Sequence, residues 1–464
     1  MNDPAGLVYW NAWQLYYQYN PFHMTAGYPS WGHAFSSDLL HWENLPIAIP
    51  IGPDGQIFTG SAVVDTENTS GFFSGAGRGL VAIYTLSKPY KEVQDIAYSQ
   101  NGGVTFTKYE GNPVLEVDYP NCRDPKVFWH VPSRRWIMTV ALPQSRQVLF
   151  YGSRDLKDWS FLSRFGPVGI EECEWECPNL LEVPVEGSDQ KRWVLLIGIN
   201  PGAPLGGSIN VYFVGSFDGT SFQADDASVR VMDFGKDYYA VQTFNNTREG
   251  EAIGIGWASN WQYTQVVPTF PWRGALSIPR VLSLRKNGTE TAALLLQKPI
   301  SLDILRDKTL YEGSAHLGTD PLSISLQGNA SFEFKATLVL QPNRDEGRPI
   351  LTIDILNGAR EKVAIRYDWS EAHILVDRGE ALGFSDPSFS PSFETTCMDT
   401  GNSIRLHVLV DCSMLEVFVN DGCHVCTTVF YMKHGPPTEM SWHAENCSVG
   451  VENLQAHTLK SIWE

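Results

Sequence analysis

The chain has 464 residues, too many for one core of ordinary size, so two domains are expected. With 43% hydrophobic and 19% charged residues it is a globular sequence rather than a disordered one. Lys+Arg 34 against Asp+Glu 52 leaves a net charge of −18, which repels phosphate backbones and anionic lipid surfaces. Nucleic acid and membrane are therefore poor partners, and a neutral substrate suits the field.

No apolar run is long enough to span a bilayer, and Met1 leads directly into Asn2-Asp3-Pro4 with no visible leader. Asn-x-Ser/Thr sequons begin at Asn68, Asn245, Asn287, Asn329 and Asn446 and favour secretion, with a cytoplasmic form as the alternative. The eight cysteines include Cys423-His424-Val425-Cys426, but no second matching pair completes a zinc site. Buried thiols or one or two disulfides are the expectation. Trp 15, Tyr 18 and Phe 23 supply core filling and, on a pocket wall, faces on which sugar rings stack.

From the N-terminus to about residue 295 the chain reads as short strands, such as Leu7–Trp10, Val81–Tyr84 and Trp193–Ile197, separated by Gly, Pro, Asn and Asp. A weak repeat runs through them. Ser37-Asp38 precedes Trp42, Ser99-Gln100-Asn101 precedes Phe106, Ser153-Arg154-Asp155 precedes Trp159, and Ser216-Phe217-Asp218 precedes Phe222. The acidic or amide position recurs at 38, 101, 155 and 218, in steps of 63, 54 and 63. A period of roughly 60 residues points to propeller blades, five of them over this length. From about 310 the repeat is gone, although Phe332–Leu338 and Leu415–Val419 still alternate, and a β-sandwich is expected. The predicted architecture is all-β: a five-bladed β-propeller over 1–297, then a β-sandwich over 312–464, with the boundary near 296–312.

Three acidic sites stand out by context. Pro4 and Gly6 force a turn immediately after Asp3, presenting its side chain at a strand end; an Asx-turn is the ordinary reading. Asp124 lies in Arg123-Asp124-Pro125, where the arginine favours its ionised form, although strand neighbours point to opposite faces. Glu171, Glu172, Glu174 and Glu176 crowd a segment that also holds Trp175, Cys173 and Cys177. A glutamate in such company keeps its proton more tightly than a solvated one, as a general acid requires; an exposed acidic loop is the alternative.

Taken in order, Asn2-Asp3-Pro4, Phe58-Thr59-Gly60-Ser61, Arg123-Asp124-Pro125 and Trp175-Glu176-Cys177-Pro178 resemble glycoside hydrolase family 32, the invertases, inulinases and related fructosyltransferases, closest to the yeast-type invertases. The likeness extends through Ile199–Pro204, Asp233–Tyr239 and Trp257–Trp261. It implies a five-bladed propeller joined to a sandwich, with a pocket at the propeller axis. It carries the nucleophile to Asp3, the acid/base to Glu176 and the transition-state stabiliser to Asp124. Asn2, Gln18, Trp31, Phe58, Thr59, Arg123 and Trp261 match positions around the fructosyl unit. The implied reaction is retaining hydrolysis of terminal β-D-fructofuranosyl residues, with carboxyls of Asp3 and Glu176 about 5–5.5 Å apart. No metal or organic cofactor is called for. The partner is a fructoside, sucrose first and inulin-type or levan-type fructans next; a homodimer is left open.

Two departures accompany the resemblance. The family usually has Asn where this chain has Ala5, which predicts an altered pocket rim and acceptor preference. Members also carry a segment, with a Trp, ahead of Met-Asn-Asp, so Asp3 is expected to need firm anchoring here. Three rival readings keep the scaffold: a fructosyltransferase, an exo-inulinase or levanase, and a non-catalytic sugar-binding protein.

Overall fold

A computed structural model describes residues 1–74, 77–286, 293–318, 320–341, 347–397 and 401–463. Among the described residues the regular structure is strand, apart from two short 3-10 turns at Arg248–Gly250 and Asp303–Leu305. No helix is long and apolar enough to cross a membrane. The chain divides into two compact units. The first comprises Met1–Val231, Tyr239–Trp257 and Phe270–Leu295. The second comprises Met232–Tyr238, Ala258–Thr269 and Leu296–Glu464. Two internal segments thus belong with the second unit, which a contiguous division of the sequence does not anticipate.

The first unit is built from antiparallel blades. Blade 1 holds β1 (Pro4–Trp10), β2 (Ala12–Tyr19), β3 (Ser30–Ser36) and β4 (Trp42–Ile49). Blade 2 holds β5 (Gln56–Asp65), β6 (Gly79–Lys88), β7 (Lys91–Ser99) and β8 (Thr107–Lys108). Blade 3 holds β9 (Arg123–His130), β10 (Arg135–Leu142), β11 (Gln147–Ser153) and β12 (Ser160–Phe165). Blade 4 holds β13 (Trp175–Pro184), β14 (Lys191–Ile199), β15 (Ile209–Phe217) and β16 (Phe222–Ala224), with β17 (Arg230–Val231) also on β15. Blade 5 holds β18 (Tyr239–Thr243), β19 (Ile253–Trp257), β20 (Arg280–Lys286) and β21 (Ala293–Pro299). The first strand of each blade packs against that of the next, and β18 returns to β1, closing the ring. The core lies between adjacent blade faces: Ala5, Tyr16 and Trp31 meet Ala62, Leu80 and Tyr84 between blades 1 and 2.

The repeat is the outer hairpin of blades 1 to 4. Asp155 Oδ1 accepts from the backbone N–H of Lys157 and Asp158, both at 2.9 Å, and from Ser153 Oγ at 3.1 Å. Trp159 Nε1 then returns to the Leu156 carbonyl at 3.0 Å. In blade 1 the serine that bonds Asp38 is Ser36, at 3.1 Å, rather than the adjacent Ser37, so all four copies share one Ser-x-Asp/Asn spacing. The reason is geometric: a hydroxyl two residues back reaches the carboxylate that caps the turn.

The second unit begins its regular structure with β22 (Arg306–Leu317) and β23 (Leu322–Ser325). There follow β24 (Ser331–Gln341), β25 (Ile350–Leu356), β26 (Lys362–Asp368), β27 (His373–Asp377) and β28 (Ser392–Thr396). The last strands are β29 (Ser403–Asp411), β30 (Met414–Val419), β31 (His424–Val429), β32 (Glu439–Glu445) and β33 (Ser448–Leu459). One six-stranded sheet runs β22-β33-β24-β29-β30-β31 and the other β23-β32-β25-β26-β27-β28. Phe334 of the first meets Trp442 of the second edge-on at 5.0 Å, inside one shared apolar core. Alternation in Phe332–Leu338 breaks at Glu333, which is buried, because Arg306 at 2.5 Å and His407 at 2.9 Å pair its carboxylate. Leu415–Val419 is buried throughout rather than alternating.

Candidate active site

All five inner strands carry a bulge near their first residues. On β1, Gly6 and Leu7 oppose one residue of β2; on β5, Phe58 and Thr59 oppose one of β6. Asp124-Pro125 on β9, Cys177-Pro178 on β13 and Ala240-Val241 on β18 do the same. Such a bulge breaks the two-residue alternation and re-aims a side chain. That is how Arg123 and Asp124, sequence neighbours, both serve one site. The bulged backbone is left-handed at Gly6 (φ 56), Asp124 (φ 66), Cys177 (φ 48) and Ala240 (φ 50). Glycine is required at the first: a Cβ on Gly6 would stand 2.6 Å from Tyr16 and 2.8 Å from Trp31.

Groups freed by the bulges are caught by the neighbouring blade. Ser61 Oγ donates to the Pro125 carbonyl at 3.0 Å and accepts from the Val127 N–H at 2.9 Å. Thr85 Oγ1 accepts the Asp124 N–H at 2.9 Å, and Thr139 Oγ1 donates to the Pro178 carbonyl at 3.1 Å. Left unpaired, each buried group would cost about 1–3 kcal/mol.

The bulged ends bring together Asp3, Thr59, Asp124, Glu176 and Tyr239. Asp3 is 8% exposed and both of its carboxylate oxygens accept hydrogen bonds. Thr59 Oγ1 donates to Oδ2 at 2.7 Å, Gln18 Nε2 to Oδ2 at 3.3 Å, and Asn2 Nδ2 to Oδ1 at 3.2 Å. Gln18 also bonds Thr59 and accepts from Asn2 at 3.1 Å, so four side chains form one network. The segment is tied down by Asn2 N–H to the Gln18 carbonyl, Gln18 N–H to the Asp3 carbonyl, and the Met1 ammonium to the Arg273 carbonyl at 2.9 Å. Burial pushes Asp3 up to about 6, with the Glu176 charge adding and the Thr59 and Asn2 bonds opposing.

Asp124, 5% exposed, accepts the Cys177 N–H at 2.9 Å. The Cys177 thiol lies between the two aspartates, 3.6 Å from Asp124 Oδ2 and 3.8 Å from Asp3 Oδ2. Burial and then Glu176 raise Asp124 well above the usual carboxylate range, and Arg123 opposes. Glu176 has the most open carboxylate of the three, 17% exposed. Arg123 holds its Oε1, with Nη2 at 2.8 Å and Nε at 3.1 Å, and the Tyr239 hydroxyl donates to Oε2. Burial works against the Arg123 charge, but Glu176, Asp124 and Glu92 outweigh it and hold the guanidinium cationic.

Among the other expected binding residues, Asn2, Gln18, Thr59 and Arg123 join this network. Phe58 is half-buried at the β5 bulge. Trp31 is fully buried and its indole N–H donates to the Phe58 carbonyl at 2.9 Å, which places it behind that strand. Trp261 belongs to the second compact unit. Ala5 is also fully buried, in the core between blades 1 and 2, which corrects the expectation that it edits an open rim. In the glutamate-rich segment Glu171 and Glu172 face solvent, while Glu174 and Glu176 turn inward around buried Trp175. Tyr239 and Glu92 were not expected here. Tyr239 sits in a stretch that carries the resemblance, but nothing in its spacing assigns it a partner; Glu92 gives no local signal at all.

The sequon at Asn245 is structural, because its side-chain amide donates to the Ala62 and Val127 carbonyls at 2.8 and 3.0 Å. Asn287 lies outside the described residues. Cys122, Cys173, Cys177, Cys397 and Cys447 are buried free thiols, and Cys412 is an exposed one.

Residues 1–299 match the model of the glycosyl hydrolases family 32 N-terminal domain, and residues 301–458 that of the family's C-terminal domain. The chain belongs to glycosyl hydrolase family 32. It is 40% identical to an invertase of Schizosaccharomyces pombe, over 100% of this chain and 84% of that protein. It is 41% identical to an extracellular exo-inulinase of Meyerozyma guilliermondii, over 95% and 88% of the two chains. Among solved structures, a β-fructofuranosidase from Schwanniomyces occidentalis complexed with fructosyl-erythritol matches with a TM-score of 0.90 at 38% identity, covering 98% of this chain and 95% of that one. The family's propeller-plus-sandwich architecture agrees with the blades and paired sheets described above.

Proposed function

We propose that this family 32 chain hydrolyses terminal non-reducing β-D-fructofuranosyl residues with retention of configuration, and that sucrose is its first substrate. The observation that carries the reading is the meeting of Asp3, Asp124 and Glu176 at the bulged ends of three inner strands. One carboxylate accepts from Thr59, Gln18 and Asn2, one is tied to the Cys177 backbone, and one is the most open and lies against Arg123. Glu176 protonates the glycosidic oxygen as Asp3 attacks the anomeric carbon, and glucose leaves. Asp124 holds fructose hydroxyls and steadies the oxocarbenium-like charge. Glu176, now ionised, takes a proton from water, which displaces Asp3 and frees fructose. Retention by this pair requires their carboxyls to lie about 5–5.5 Å apart. Asn2, Gln18, Phe58, Thr59, Arg123 and Trp31 shape the fructosyl subsite, directly or from behind. The invertase and extracellular exo-inulinase relatives support a secreted enzyme of this kind.

The test is to incubate the protein with dilute and concentrated sucrose and follow glucose, fructose and trisaccharides, with Asp3→Ala as control. Equal glucose and fructose at both concentrations, absent in the control, is the expected result. Glucose in excess with trisaccharides accumulating identifies a fructosyltransferase. Inulin or levan turned over faster than sucrose moves the preference to polymer. Binding without turnover of any fructoside overturns the enzymatic reading.

A further inference from the structure

The acid/base glutamate does not own its arginine. Arg123 Nη2 and Nε face Glu176 Oε1, but Nη1 faces the Glu92 carboxylate of β7 at 3.4 and 3.5 Å, and Nη2 also meets Glu174 Oε2 at 3.3 Å. Glu92 is only 7% exposed, and its backbone N–H is fixed to the Pro120 carbonyl at 2.9 Å. A buried carboxylate is costly unless it is paired, and here the pairing cation is one that the catalytic site also uses. We propose that Glu92 is a positioning residue for the reaction: it fixes the plane of the Arg123 guanidinium against Glu176 and offsets part of its charge. The inference rests on the fructoside-hydrolase reading above.

Both effects act on Glu176 in one direction. Without Glu92 the guanidinium swings fully onto Glu176, and a negative charge in the same pocket is lost. Each change favours ionised Glu176, the form that cannot protonate a leaving group. The other groups facing Glu176 are Asp3, Asp124 of β9, Cys177 beside it on β13, and Tyr239 of β18, while Glu174, just ahead of β13, shares Arg123. They stay in place when Glu92 alone is changed. Burial raises Glu92 itself and Arg123 opposes, as expected of an acid sharing its cation with others.

The experiment is the pH profile of kcat/KM on sucrose for wild type, Glu92→Gln and Glu92→Asp, with Asp3→Ala as the inactive control. In Glu92→Gln the alkaline limb is expected to move down by about half to one pH unit, with KM changed less than about twofold. A fructoside with a nitrophenolate leaving group, which needs little protonation, loses less rate at high pH than sucrose does. Glu92→Asp keeps the charge and so keeps the wild-type alkaline limb; should the glutamine variant not fold, Glu92→Met, uncharged and of similar length, takes its place with the same expected shift. An unmoved limb in Glu92→Gln, or a pH-independent loss shared by both variants, overturns the proposal and leaves Glu92 a structural anchor. Wild type that turns over no fructoside is the separate failure, that of the underlying reading.

Discussion

A nucleophile must be ionised, yet burial pushes Asp3 up to about 6. The donors on its oxygens, Thr59, Gln18 and Asn2, hold enough of the charged form for attack near neutrality. Since the group is raised, acid removes its function: kcat/KM should fall about tenfold per pH unit below roughly pH 6, as a kinetic titration from pH 4 to 8 would record. Because Asp3, Asp124 and Glu176 share one site, that limb belongs to the coupled set. Glu176→Gln should lower kcat on sucrose by about 10²–10⁴-fold and much less on a nitrophenyl fructoside, measured by initial rates. A loss equal on both substrates would remove Glu176 from proton transfer. At this scale the sequence was legible where identity and context coincide, as in Asn2-Asp3-Pro4. It was silent where a partner comes from a remote strand: Arg123 meets Glu176 across 53 residues and Glu92 across 31.

The bulge is the element that makes the site. Five inner strands each insert one extra residue near the same end, and four do so through a left-handed residue. Gly6→Ala tests the device where only glycine fits. It should cost about 2–4 kcal/mol from the left-handed backbone and the overlap with Tyr16 and Trp31, and turnover should fall with it because Gly6 follows Asp3 so closely. Urea unfolding and sucrose turnover of the variant would check both; unchanged stability would contradict the geometry. Strands and outer hairpins were readable beforehand, because Ser-x-Asp turns and a returning aromatic leave a periodic trace. The bulges were not, since alternation arguments assume that neighbours face apart, and Arg123 and Asp124 do not obey that assumption. Glu333 escaped for a similar reason: its pairing with Arg306 and His407 is tertiary.

Over the whole molecule, a net charge of −18 repels anions and leaves neutral sugars untouched. kcat/KM for sucrose should therefore vary less than about twofold between low and physiological ionic strength, measured in salt titrations. A steep rise with salt would point to an anionic substrate instead. Repeat spacing over the first part of the chain and its loss near 310 made two architectures legible. The assignment of 232–238 and 258–269 to the second unit was not, because a contiguous reading cannot see chain excursions.

Retaining hydrolysis at this site requires Asp3 to form a bond to fructose. Acid-quenching the enzyme during turnover of saturating sucrose, digesting it and mapping the peptides by mass spectrometry tests this directly. One fructosyl unit on the peptide that carries Asp3, absent in Asp3→Ala, is the predicted result. A fructosyl unit on another carboxylate, or full turnover in Asp3→Ala with no adduct anywhere, would contradict it.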